Sequence, residues 1–453
     1  MKIKKVKWNN HPVLKNLELD FTNSSTGEPF DNVLFAGENG TGKTTILESI
    51  SSFLNFGSFE YFEYIEYIVD NELLSAKPML EQDYTKKGYY QLEDSAGIKS
   101  QIITDKNNLK LTEDNPKNIR HCGCVFSKAR ADFKTQQIKY TTTKELDKDK
   151  YDIDNEDDFT SLKQLIVDVQ NQDNEDYYNI NAERQSRSEN PITTDEFDQV
   201  SKIYRFKNAF NTFFGKIKYN RVRDVNGEKS ILFEKNSGEI SIDKLSTGEK
   251  QIVFRGAYLL KNSNNLNGAT IMVDEPELSM HPKWQEKILR YYKDLFTERG
   301  GTQKAQIFFA THSEHVLKEA LSNKNENLVI VLNDNAGIIT SKCIDTPSVL
   351  PSITNAETNY IAFDIVSTDY HIELYGWLQQ KESRNTVKSC DDFIKNSSLY
   401  NATIHEKPST FHSTTYDTLS TYIRNAIDHP DPSKVFTEDE FRKSMELLIE
   451  LCR

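Results

Sequence analysis

No stretch of this chain approaches the roughly 20 consecutive apolar residues that a membrane-spanning helix needs. The opening MKIKKVKW is basic but runs into alternating residues without an apolar core, so no secretory signal is expected. Cysteine is scarce: Cys122, Cys124, Cys343, Cys390 and Cys452 are odd in number and scattered, which argues against a disulfide framework. Cys122 and Cys124 form a lone C-x-C with no second pair at zinc spacing, so reduced thiols in a cytoplasmic protein are expected. Positive charge is also short. Lys and Arg number 56 against 69 Asp and Glu, a net charge of −13 that excludes a whole-chain basic footprint for nucleic acid. Local basic grooves stay open to such a chain. Internal repeats and a sustained heptad are absent too, which excludes repeat solenoids and a long coiled-coil arm. What remains, 453 residues at 37% hydrophobic and 28% charged, is a globular composition too long for one ordinary core.

Residues 2–8 and 16–21 alternate in strand fashion, and the apolar run Val33 to Ala36 leads into a glycine-rich turn followed by a helix, Ile46 to Leu54. Glu60 to Tyr90 is dense in aromatics and gives no single element type. Val125 to Gln137 reads as strand then loop. Glu145 to Asp158 is a mostly acidic run, and Asp158 to Phe214 has helix-compatible apolar spacing. Short strands are expected over 217–243, with a hairpin at Asn226-Gly227. Buried strands at Ala269–Val273, Gln306–Ala310 and Leu328–Leu332, separated by helical segments, predict a parallel α/β sheet. Beyond Asn335 the chain turns polar and helix-leaning, ending in a charged helix, Thr437 to Leu451.

Gly37-Glu38-Asn39-Gly40-Thr41-Gly42-Lys43-Thr44 fits G-x-x-x-x-G-K-[ST] between a strand and a helix, the context a phosphate-binding loop requires. Backbone N–H groups of Gly37, Asn39, Gly40 and Gly42 through Thr45, at a helix N-terminus, suit phosphate oxygens. Lys43 would neutralise the β- and γ-phosphates of ATP, and Thr44 would offer its hydroxyl to Mg²⁺. Ile271 to Val273 is an apolar strand delivering Asp274 and Glu275, adjacent carboxylates that suit a division of labour. Asp274 would hold the metal and Glu275 would polarise the attacking water.

Between these motifs lies Leu245-Ser246-Thr247-Gly248-Glu249-Lys250-Gln251, which resembles the ABC signature; read alone it is an ordinary helix cap with an acidic first turn. With the other motifs, the chain resembles, over about 300 residues, the SMC/RecF-like ABC-type ATPases of the AAA family. The resemblance implies an α/β P-loop NTPase head with a helical insertion and a mainly α-helical C-terminal appendage. It implies that Ser246, Gly248 and Glu249 meet the γ-phosphate bound by the opposite subunit, and hence a homodimer or higher even homo-oligomer. Glu277 to Pro282 falls where the family places its dimer-facing loop, and His312, after the strand Phe308 to Thr311, matches the switch histidine. Gln136 and Gln137 are candidates for the glutamine loop, with Arg130 as a phosphate or partner contact, and an ordinary surface loop serves equally well there. Lys43 and Ser246 are further apart than in transporter-type domains, so material is inserted between them. The expected organisation is 1–144, an N-terminal lobe with the P-loop; 145–214, an acidic and helical insertion; 215–334, a C-terminal lobe; and 335–453, a helical appendage.

Thr421 to Pro430 with Phe436 to Glu440 resembles the tail of the short SMC-like ATPases of Septu and retron anti-phage systems. That resemblance implies an ATP-dependent sensor or regulator of a separate nuclease effector. Arg424 and His429 also have the R-x4-H form of HEPN ribonucleases, in which arginine stabilises phosphorane charge and histidine is the acid or base. The alternative is a local turn network before Pro430. An ATP-gated ribonuclease and a RecF-like DNA-repair ATPase are therefore the rival readings. H-N-H strings, Toprim-like acidic clusters and zinc-ligand sets are missing from the sequence.

Overall fold

In a computed structural model the described residues are 1–103, 115–129, 141, 159–262, 268–297, 301–345, 348–411 and 413–453. The chain divides into two compact units, Met1–Cys343 and Ile344–Arg453. The expected boundary at 334/335 moves because Ile338–Cys343 pairs antiparallel with Asn327–Asn335 and so completes the first unit's sheet.

That sheet runs in the order Ile338–Cys343, Asn327–Asn335, Asn32–Gly37, Gln306–Ala310, Thr270–Asp274, Cys124–Ser127. All neighbours but the first pair are parallel. Asn32–Gly37, Thr270–Asp274 and Gln306–Ala310 are buried throughout, as strands covered on both faces must be. The order sets Gln306–Ala310 between the strands that end in Gly37 and Asp274, so three strand ends converge.

The aromatic stretch after Glu60 belongs to a second, antiparallel sheet. Its order is Glu18–Asp20, Lys2–Trp8, Phe62–Val69, Glu72–Lys77, Tyr90–Glu93, Lys99–Ile102. The helix Lys43–Leu54 buries Ile46, Ile50 and Phe53 in the core this sheet shares with the parallel one, among Val6, Trp8, Phe62, Phe126 and Phe308. Two buried polar side chains set its place. Gln306 pairs both ways with the Ile3 backbone, accepting at 2.7 Å and donating at 2.9 Å. Arg120, fully buried, donates from Nε to Phe53 O at 2.9 Å and lies 4.4 Å over the Phe53 ring, which satisfies the helix's C-terminal carbonyls.

The acidic run 145–158 lies outside the described residues. The helices that follow it, Phe159–Ser186, Thr194–Phe197 and Tyr204–Phe213, pack into the head. Buried Asp173 accepts hydrogen bonds from Ser201 Oγ, Lys202 N and Ile203 N, ordering the start of Tyr204–Phe213. Phe210 and Phe213 then meet Phe233 and Tyr291. The hairpin Ile217–Val225/Glu228–Lys235 turns at Asn226 (φ 55°) and Gly227 (φ 79°), the left-handed pair its two-residue loop needs.

The second unit gathers helices Thr368–Lys381, Val387–Lys395, Leu419–Asp428 and Glu438–Cys452 around Leu374, Leu378, Ile423, Met445 and Leu448. It also holds a hairpin, Glu406–Phe411/Thr414–Thr418, that helix-leaning composition did not suggest.

Candidate functional site

Gly40 and Gly42 adopt φ of 84° and 87°, and a Cβ on Gly42 would come within 2.8 Å of Leu14 Cδ2, so glycine is required there. The helix begun at Lys43 has no side-chain cap and no acidic residue in its first turn. Its N–H groups and partial positive charge are therefore uncompensated, which fits an anionic ligand. Asn39 and Gly40 are exposed at the loop tip. Lys43 Nζ donates to Gly37 O at 2.8 Å and Glu38 O at 2.7 Å. Burial draws its pKa down to about 8, against the pull of Asp274, Glu275 and Glu277.

Thr44 and Asp274, 230 residues apart, meet: Thr44 Oγ1 donates to the Asp274 carboxylate at 3.1 and 3.2 Å. A hydroxyl beside a carboxylate at a phosphate-loop helix is the donor set that Mg²⁺ takes in such sites, so both residues fit the expected metal. Burial raises the Asp274 pKa above the usual carboxylate value, and the Thr44 hydrogen bond opposes it. Thr45, the next residue of the helix, is half-buried.

Glu275 is in the left-handed region at φ 45°, strained for a non-glycine residue. Its N–H donates to Ala310 O at 2.9 Å. Arg255 holds the turn from the other side, donating to Glu275 O (2.8 Å), Asp274 O (2.6 Å) and Lys128 O (2.7 Å). His312 follows the intervening strand. Burial and nearby Lys43 lower its pKa, so the imidazole is neutral near pH 7.

Ser246 and Glu249 cap the helix Thr247–Asn262 reciprocally: Ser246 N donates to Glu249 Oε2 at 2.8 Å, and Glu249 N to Ser246 Oγ at 3.4 Å. Glu249 is buried and also pairs with Lys235 at 2.8 Å, so its carboxylate is engaged beneath the cap while Ser246 and Thr247 are exposed. Gly248 is buried, and a Cβ there would come within 2.8 Å of Ser279 O and 3.1 Å of the Trp284 ring. The signature therefore rests on the loop after Glu275. The partners of Ser246 and Gly248 are thus Glu249, Ser279 and Trp284, whereas those of Lys43 and Thr44 are Gly37, Glu38 and Asp274.

Gln136, Gln137 and Arg130 lie outside the described residues. In the second unit Arg424 pairs with Asp428 at 2.6 Å and donates to Asn425 Oδ1, and His429 stacks on Phe411 at 4.5 Å between centroids. Sequence reasoning missed Arg255, and it gave Glu277 no role of its own. Glu277 accepts from Thr311 Oγ1 and His312 N, both at 2.8 Å. Burial raises its pKa despite these donors.

Residues 127–318 match the family model described as "AAA domain, putative AbiEii toxin, Type IV TA system", which takes in Asp274, Glu275, the signature and His312. The Septu protein PtuA of Bacillus thuringiensis is 25% identical over 304 residues, 64% of this chain and 68% of that protein. The Retron Vc95 probable ATPase of Vibrio cholerae serotype O1 biovar El Tor is 35% identical over 99 residues, 20% of this chain and only 18% of that protein. Among solved structures, the SMC head domain from Thermotoga maritima aligns with TM-score 0.38 and 13% identity, covering 76% of this chain and all of that one. Among the described residues no helix is long and apolar enough to cross a membrane. Residues 127–318 thus match an AAA-family ATPase domain, the chain is similar to the Septu protein PtuA and to the Retron Vc95 probable ATPase, and the Gly37–Thr44 loop lies N-terminal to the family match.

Proposed function

We propose that this ATPase is a nucleotide-driven clamp: two copies enclose two ATP molecules, hydrolysis parts them, and the motion controls a separate nuclease effector in cytoplasmic anti-phage defence. The observation that carries the reading is the division of the motifs within one chain. Lys43, Thr44, Asp274 and His312 gather at one site, while the exposed Ser246 cap is tied to Glu249 and to the loop at Ser279. A signature whose contacts among the described residues are with Glu249, Ser279 and Trp284, and whose Ser246 is exposed, suits a partner's γ-phosphate.

In this mechanism Lys43 exchanges the carbonyls of Gly37 and Glu38 for phosphate oxygens, and the N–H groups opening the Lys43–Leu54 helix receive the rest. Thr44 and Asp274 would hold Mg²⁺, whose charge offsets that of the β- and γ-phosphates. Glu275, fixed by Arg255 at the strand end, takes the proton of the attacking water. His312, neutral and hydrogen-bonded to the Gly37 backbone, turns its single N–H from that carbonyl to an oxygen of the transferred γ-phosphoryl group. Arg424 is engaged with Asp428, which favours a regulatory rather than a nucleolytic tail.

Glu275→Gln tests the assignment. It removes the base while preserving size, so the variant should bind ATP, accumulate as a dimer and turn over at least about a hundredfold more slowly. Unchanged turnover would remove Glu275 from its role.

A further inference from the structure

Glu277 and Gln285 take no part in the mechanism above, yet both grip the switch segment. Glu277 Oε1 accepts from the Thr311 hydroxyl and from His312 N–H, each at 2.8 Å. Gln285 Oε1 accepts from Ser313 Oγ at 2.6 Å, and Gln285 Nε2 donates to Met280 O at 3.0 Å. Ser313 N donates in turn to Thr311 Oγ1 at 3.0 Å. Three consecutive residues around the switch histidine are thereby fastened to one segment, 277–285. The middle of that segment supports the signature: Ser279, itself at φ 61°, and Trp284 are the groups that leave Gly248 no room for a Cβ. One short stretch therefore touches both the groups proposed to meet a γ-phosphate, His312 from its own chain and Ser246-Gly248 for the partner's.

The choice of a carboxylate is informative. Glu277 Oε2 is buried and has no hydrogen-bond partner among the described residues. Glu275 lies near enough to oppose its ionisation, and Lys43 near enough to feel its charge. A carboxylate kept dry beside a second acid is costly for a fold. Its retained feature is the pair of donors it orients, one of which is the backbone of the switch histidine.

We infer that Glu277 is a positioning residue for ATP hydrolysis: it sets His312 against the P-loop and, with Gln285, passes movement of the signature helix to the switch histidine. The inference rests on the clamp reading, and gives that reading a physical connection between its two ends. Displacing the helix Thr247–Asn262 moves Ser279, and the hydrogen bonds of Glu277 and Gln285 oblige Thr311 to Ser313 to follow.

The test is steady-state ATP turnover by the full chain with Mg²⁺ for Glu277→Ala, Gln285→Ala, His312→Ala and the double variant Glu277→Ala/His312→Ala. Loss of both hydrogen bonds that hold Thr311 and His312 predicts a kcat about tenfold or more lower for Glu277→Ala, with KM changed by less than about threefold. The double variant should be no slower than His312→Ala alone beyond about twofold, because both changes act on one group. Glu277→Gln, which keeps the accepting oxygen, should recover most of the loss. Gln285→Ala, which leaves the Glu277 bonds in place, should lower kcat severalfold and be masked by His312→Ala in the same way. It decides the matter if Glu277→Ala does not fold. Wild-type kcat in both alanine variants, or effects that multiply with that of His312→Ala, would overturn the inference while leaving the clamp intact. Unchanged turnover in His312→Ala would instead overturn the switch-histidine assignment, and this inference with it.

Discussion

Replacing Arg255 with methionine should disable the ATPase and loosen the head together, although the side chain belongs to the signature helix and not to either acidic motif. Arg255 is 5% exposed and bridges three main-chain carbonyls, at Glu275, Asp274 and Lys128. Hydrogen bonds from a charged donor contribute about 1.5–3 kcal/mol each, and orphaned buried carbonyls add to the loss. Methionine fills most of the space but donates nothing, so a cost of about 4 kcal/mol is expected, near the top of the single-substitution range. Glu275 would also lose a restraint on its left-handed conformation, which is unfavourable by about 1–2 kcal/mol for an L-residue. Released, it should drift from the water-activating position. The assay pairs urea unfolding, followed by circular dichroism, with ATP turnover. The midpoint should fall clearly and kcat should drop by about tenfold or more. Arg255→Lys, one compact donor in place of a planar fork, should fall between the two. A methionine variant within about 0.5 kcal/mol of wild type, turning over normally, would refute the idea that this arginine holds the catalytic turn.

The C-terminal unit should be acid-labile through His371. That ring is fully buried, with Nε2 2.9 Å from Ser444 Oγ, and burial lowers its pKa to about 3. A depressed folded-state value means its contribution is complete above the ordinary 6.5 and is lost as pH falls from there through about 3, so His371→Gln should flatten the acid side of the unfolding profile. An unchanged profile would show that other groups set the transition. Arg120→Leu should lower stability by about 3 kcal/mol, because Phe53 O and Gly57 O both lose their donor; an unaltered urea midpoint would contradict that.

The place of the loop from Gly37 to Thr44 was legible because its signals are contiguous: one strand, one glycine turn and one helix start follow in order. Asp274-Glu275 and His312 were legible because each closes an apolar strand, and the parallel order of those strands brings them together. Arg255 was hidden for the opposite reason. It sits on a helix face and acts on main chain 19, 20 and 127 residues away, which no local pattern marks. Arg120 was hidden likewise, since a buried arginine facing helix carbonyls and aromatic rings has no sequence spacing of its own. The aromatic stretch after Glu60 resisted reading because its strands alternate imperfectly, their burial being shared with the helix Lys43–Leu54. Ile338–Cys343 is exposed at nearly every position, so it carries no apolar run and joins the sheet by main-chain pairing to its neighbour.

The claim that two chains share each nucleotide is tested most directly by mixing two inactive variants. Lys43→Ala spoils the phosphate loop and keeps the signature, whereas Ser246→Arg spoils the signature and keeps the loop. If sites are composite, a mixed dimer has one site with both halves intact, and combining the proteins restores ATP turnover that neither shows alone. If each chain completes its own site, the mixture stays as inactive as its components, and the clamp is contradicted.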